Sequence, residues 1–187
     1  YSPYGKAACT DLIRGLRGYP IVIISGLALG MDGIAHEAAL AADLPTVAVP
    51  GSGLQDRVLY PRSHFPLSQR ILKAGGALLS EFEPAWNPRL ESFPQRNRIM
   101  AGLSHAVLVV EATERSGTLI TSRLATEYNR DVLTIPHPIT SPTGSGPHLL
   151  MKIGATPVRT SEDILEALQI EPGDKILARS DTLSDAE

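Results

Sequence analysis

Short apolar runs recur along this chain, and each empties into a turn of small residues and then a segment of helical length. Ile21 to Ser25 reads IVIIS and leads through the glycine-punctuated GLALGMDG (26–33) into a helix expected over 31–42. Thr46 to Val49 leads to Gly51-Ser52-Gly53 and a helix near His64 to Ala74, and Ala77 to Ser80 ends in Ser80-Glu81. Ala106 to Val110 leads through Ser116-Gly117-Thr118 to a helix over 118–128, and further strands are expected at 132–135 and 156–159, flanked by short helices at 147–153 and 161–168. Runs that are apolar at every position suit strands covered on both faces, as parallel strands are. Five or six of them alternating with helices specify an α/β fold, a doubly wound, mostly parallel sheet in three layers.

With 187 residues the chain is long enough for one well-buried domain, expected over 1–170, and 171–187 reads as an acidic linker or tail. The first helix, roughly Gly5 to Leu16, precedes any strand in the sequence. An α/β domain ordinarily opens with a strand, so a β-strand and its loop are expected on the amino side of Tyr1.

Ligands of doubly wound sheets sit beyond the carboxyl ends of the strands. Four small-residue clusters fall there: Ser25-Gly26, Gly51-Ser52-Gly53, Ser80-Glu81 and Ser116-Gly117-Thr118. Around the last lies the densest stretch, Phe93 to Glu127: a basic helix start (Phe93, Gln95, Arg96, Asn97, Arg98), a buried strand, and a small-residue turn opening another helix. Free amides and the positive end of a helix dipole make such a turn an anion site. Each part has a plainer reading. Gly51-Ser52-Gly53 is also a common tight turn, and Ser116 is also a helix cap. With Thr121 one turn on and Arg115, Arg96 and Arg98 in the same stretch, phosphate binding is the preferred reading. Arg96 and Arg98, two positions apart on a helix, do not share a face, so one is expected on a ligand and the other in a structural role. Phe93 beside arginines suits a stacking platform for single-stranded bases, with core anchoring as its alternative.

The formal charge of −3 argues at first against a polyanionic partner, but its distribution argues for one. Of 17 basic and 20 acidic side chains, residues 161–187 hold eight acids against Lys175 and Arg179. The remaining chain is mildly basic. No apolar run is long enough to cross a bilayer, and the single cysteine, Cys9, excludes an internal disulfide, so cytoplasmic localisation is the expectation. No metal site is read in the scattered histidines, and neither a G-x-G-x-x-G nor a Walker pattern is present, so no cofactor is expected. Asp32 and His36 share a helix face; a structural hydrogen bond at the helix start is preferred over a catalytic pair.

Ser2-Pro3-Tyr4-Gly5, SGLALGMDGIAH (25–36), PGSGLQDRVLYP (50–61), LLSEF (78–82), FPQRNRIMAGLS (93–104), VVEATERSGTLIT (109–121) and the GA-containing segment 146–155 occur in that order. Over about residues 1–168 these blocks resemble the DNA-processing protein A family (DprA, also called Smf). The resemblance implies an extended Rossmann-like domain that is not an enzyme. It implies binding and protection of single-stranded DNA, with loading of the recombinase RecA in natural transformation and DNA uptake. It places Gly51, Ser52, Gly53, the Phe93–Arg98 run and Ser116 to Thr118 around a basic pocket for the DNA backbone. It also places His148 and Met151 on a segment used for homodimerisation. The family's first strand and its Gly-Ser/Thr-Arg loop would precede Tyr1, and His137 stands where the family usually has glycine. The rival reading is a nucleoside monophosphate phosphoribohydrolase of the LOG type. That chemistry needs a glutamate after a Gly-Thr turn, whereas Gly117-Thr118 is followed by Leu119, Ile120 and Thr121, so Glu111 or Glu81 would have to substitute.

Overall fold

A computed structural model describes residues 1–113 and 116–175. Among them are seven α-helices, α1 (Pro3–Gly15), α2 (Met31–Ala41), α3 (Phe65–Lys73), α4 (Ser92–Leu103), α5 (Thr118–Glu127), α6 (Ser145–Lys152) and α7 (Ser161–Ala167). Six strands alternate with them: β1 (Ile23–Ser25), β2 (Thr46–Ala48), β3 (Ala77–Leu78), β4 (Ala106–Val109), β5 (Asp131–Thr134) and β6 (Thr156–Pro157). All pairings are parallel, and the strands wind outward in two directions, as the alternation predicts. They form two three-stranded sheets, β1-β2-β3 and β4-β5-β6. The acidic tail expected over 171–187 lies outside the described residues from 176 onward.

α1, α2 and α7 bury one face. Cys9, Leu12 and Ile13 of α1 meet Ala38 and Ala39 of α2, Ile164 and Leu165 of α7, and Leu133 of β5 in one apolar cluster. α5 and α6 cover the other face through Leu119 and Leu150, packed with Val107, Val109 and Val132, and α4 lies against α5. The first strand run is only partly paired: Ile21 and Val22 precede the ladder, which starts at Ile23.

Between β1 and β4 runs a channel of about 1390 Å³, lined by both strand edges and by both helical layers. Ile23 donates to Pro45 and Ser25 accepts from Val49, so those residues bond β2. A parallel strand alternates its bonding direction, which turns the backbone groups of Ile24 toward the channel. On β4, His105 accepts from Asp131 and Val109 from Ile135, which likewise turns Ala106 and Leu108 inward.

Candidate nucleic-acid interface

The carboxyl ends of β1 and β2 are held by a side chain from α4. Arg96 is 4% exposed, and its guanidinium donates to the carbonyls of Gly26 and Val49. Its Nε also donates to Asn97 Oδ1 at 3.2 Å. Burial lowers its pKa, against the field of Asp32, which raises it. A Cβ on Gly26 would stand 2.2 Å from Arg96 Nη1, so a side chain there would displace the guanidinium. Through Nη1, Arg96 is thus committed to the two strand-end carbonyls. Arg98 faces outward, half-exposed, and pairs with Glu81 beyond β3.

The glycine turn after β2 is equally committed. Ser52 is fully buried; its hydroxyl donates to Gly53 O and accepts from Tyr60 N. Ser80 Oγ donates to Ser52 O at 2.7 Å, and Gly53 N donates to Trp86 O at 2.9 Å. Gly51 forms the seat of the Phe93 ring, which is half-buried and tilted against Tyr60 with centroids 5.8 Å apart. Gly51, Ser52 and Gly53 therefore shape the rim from beneath, while Phe93 presents a face at it.

At the other side of the channel mouth, Ser116 Oγ donates to Thr118 Oγ1 at 3.0 Å and accepts from Thr118 N at 3.3 Å. Fewer amides are free here than a bare helix start would offer. Ser116 N donates to Thr113 O, Leu119 N to Ser116 O and Ile120 N to Gly117 O. The exposed Gly117 sits at the cap, with open space around its Cα. Arg115 lies outside the described residues. Phe93, Arg96, Asn97, Ser116 and Thr118 all line the channel, whereas Gln95 and Arg98 lie on the outer face of α4.

Glu111, at the end of β4, accepts from Ser2 N at 2.8 Å, from Ser2 Oγ at 2.5 Å and from Thr143 Oγ1 at 2.8 Å. Burial pushes its pKa up, but these hydrogen bonds outweigh burial and hold it below the usual value. With Glu81 paired to Arg98, each of the two carboxylates that could substitute in the hydrolase reading has partners of its own. Asp32 accepts from Ser25 Oγ and Ala28 N, so it fixes the turn after β1 and does not touch His36, which bonds Thr46. On α6, His148 Nε2 bonds the carbonyl of His137, and Met151 is half-buried. His137 itself is buried, bonded through Nε2 to Val110 O and edge-on to Tyr4. Among the described residues no cluster of His, Cys, Asp and Glu fits a metal ion, and no helix is long and apolar enough to cross a membrane.

The family model for DNA recombination-mediator protein A matches residues 1–169. The chain belongs to that family. Among DprA/Smf relatives, Protein Smf of Escherichia coli is 48% identical over 166 residues, 89% of this chain and 43% of its own length. DNA processing protein DprA of Streptococcus pneumoniae is 42% identical over 164 residues, 88% of this chain and 57% of that protein. The chain thus spans about half the length of these relatives. The X-ray structure of the pneumococcal DprA superposes with a TM-score of 0.80 at 40% identity, over 89% of this chain and 57% of that one. DNA processing protein A of Helicobacter pylori, whose structure concerns its single-stranded DNA binding mode, superposes with a TM-score of 0.78 at 31% identity, over 90% of this chain and 75% of that one. The α/β architecture is therefore the DprA architecture.

Proposed function

We propose that this chain binds single-stranded DNA along the carboxyl rim of its strands, protects it, and serves RecA loading during transformation and DNA uptake, by binding and without catalysis. The observation that carries this reading is the Phe93 ring. It stands half-buried on its Gly51 seat, at a mouth lined by Asn97, Ser116 and Thr118. A ring for a base, with hydroxyl and amide donors for phosphate beside it, is the pairing that single-strand binders use. Membership of a DNA-processing family, and the single-stranded DNA binding of the Helicobacter pylori relative, support it. In this reading Phe93, Gln95, Asn97, Arg98, Arg115 and Ser116 to Thr118 meet the strand. Gly51, Ser52, Gly53 and Arg96 hold them in place. The test is fluorescence anisotropy of labelled oligo-dT against salt concentration, with duplex of equal length as control. Binding that falls steeply with salt and prefers the single strand supports the reading; no binding at low salt rejects it. Loading of RecA onto protein-coated oligo-dT is read separately by its ATPase activity.

We also infer that residues 1–170 form one domain whose channel is filled by a strand from the amino side of Tyr1. Ser2 caps α1 and bonds Glu111 at the carboxyl end of β4, and the Tyr1 ring lies near Gly30, just past β1. α1 thus starts at the carboxyl rim, where a strand feeding it in a right-handed βαβ unit ends. Such a strand, parallel to both neighbours, satisfies the inward-facing groups of Ile24, Ala106 and Leu108, and its exit loop emerges at the Phe93 mouth. Comparing the melting temperature of this chain with that of an amino-terminally extended one tests this: an unchanged value rejects it. Homodimerisation through α6, around His148 and Met151, is supported by the exposed Leu149 and Ile153. Light scattering on I153E reads it.

A further inference from the structure

Beyond β3, the loop leading to α4 carries an aromatic stack outside the apolar clusters of the fold. The indole of Trp86 lies nearly parallel to the Phe82 ring, with centroids 5.8 Å apart and planes 11° apart. The Arg89 guanidinium lies over the same indole, 4.7 Å from its centroid. Phe82 and Trp86 are half-buried and Arg89 is exposed. Arg89 takes part in no ion pair among the described residues. The buried indole Nε1–H has no acceptor among the described residues either.

The backbone under this stack is fixed to the rim. Trp86 O accepts from Gly53 N and Pro84 O from Gln55 N, each at 2.9 Å. The carbonyls of Glu83 and Pro84 close over Gly53, leaving no room for a side chain. Gly51, two residues earlier, is the seat of Phe93. One rigid turn therefore carries both aromatic sites.

We propose that Phe82, Trp86 and Arg89 form a second base-stacking subsite, which takes a nucleobase of a single strand that has already engaged Phe93. The proposal rests on the single-stranded DNA reading above. Every base offers a π-face, so the subsite is tolerant of sequence. An exposed guanidinium–ring contact is weaker than base–indole stacking, so Arg89 yields the ring and turns to the neighbouring phosphate. A purely structural clamp would instead keep Arg89 in place and leave affinity untouched.

Trp86 is the one tryptophan in the sequence, so its emission reports on this place alone. The full chain is titrated with oligo-dT while indole emission is followed, and anisotropy of labelled oligo-dT is recorded in parallel. Emission is expected to be quenched along the anisotropy isotherm. W86A is expected to weaken binding five-fold or more, W86F to retain most of it, and R89A to lower the slope of log K against log salt by about one. Circular dichroism confirms that each variant is folded, and R89A, which removes no ring, keeps the test open if W86A fails to fold. Saturating anisotropy with constant emission and unchanged R89A binding overturns the subsite while the DNA-binding reading stands. Absence of any anisotropy change at low salt overturns both.

Discussion

Phe93 Cδ1 lies 2.7 Å from where a Cβ on Gly51 would stand. The two residues belong to different elements, and the absence of a side chain on one sets the position of the ring on the other. G51A is expected to displace the ring and cost about 1–2 kcal/mol by overpacking. It should also weaken oligo-dT binding although residue 51 faces inward. If the effect passes through the ring, G51A in an F93A background changes binding no further. G53A meets backbone carbonyls at 2.3 and 2.4 Å, which cannot rotate away, and is expected to cost more in urea unfolding.

Arg96 and Arg98 should behave oppositely. R96A leaves two buried carbonyls without their charged donor and is expected to cost about 3 kcal/mol of stability. R96K, with no planar fork, should restore little of it. R98A breaks a half-exposed ion pair and should cost about 1 kcal/mol or less. Denaturant midpoints of the three variants check this. Oligo-dT binding of R98A, measured where the protein is fully folded, separates contact from scaffold.

His36 makes the fold acid-sensitive. It is fully buried, with Nδ1 on Thr46 Oγ1 at 2.7 Å. Burial chiefly lowers its pKa to about 4, helped by His64 and Arg96 and opposed by Asp32 and by the backbone carbonyl of Ser25. The unfolded chain, with a His pKa near 6.5, therefore binds the proton first as pH falls. Stability is complete above pH 6.5 and is lost progressively toward pH 4, by about 3 kcal/mol from this group. H36Q should have lower stability at neutral pH and a shallower loss between those values, as read by melting temperature against pH.

Cys9 should resist thiol reagents in the native protein. It is 2% exposed, and burial, with a further contribution from Asp32, raises its pKa to about 12. Reaction with a disulfide reagent at pH 8 is expected only at the rate at which α1 opens, and addition of urea below the unfolding transition should accelerate it.

The class of fold was legible because apolar period and small-residue turns are local properties. The helix expected over 118–128 is Thr118–Glu127, and that expected over 31–42 is Met31–Ala41. For the candidate site, the sequence shows which residues cluster but not how each is engaged. Spacing separates Arg96 from Arg98, yet only the fold shows which one turns inward, because its acceptors lie 70 and 47 positions upstream. Ser52 likewise reads as a ligand hydroxyl until Tyr60 N and Gly53 O are seen to occupy it. Trp86 and Arg89 were passed over because an irregular, proline-rich loop offers no period to interpret.

Among the described residues no ladder joins β1 to β4, so the channel runs as a seam between the two sheets, bridged by the side chains of one apolar cluster. Arg96 rides on α4, which packs with the second sheet's α5, yet it grips Gly26 and Val49 at the ends of the first sheet's strands. It is a rivet through that seam. Under the proposed reading, a single strand laid across both sets of loops crosses that joint, and its hold is expected to depend on this guanidinium even where none of its atoms reaches it.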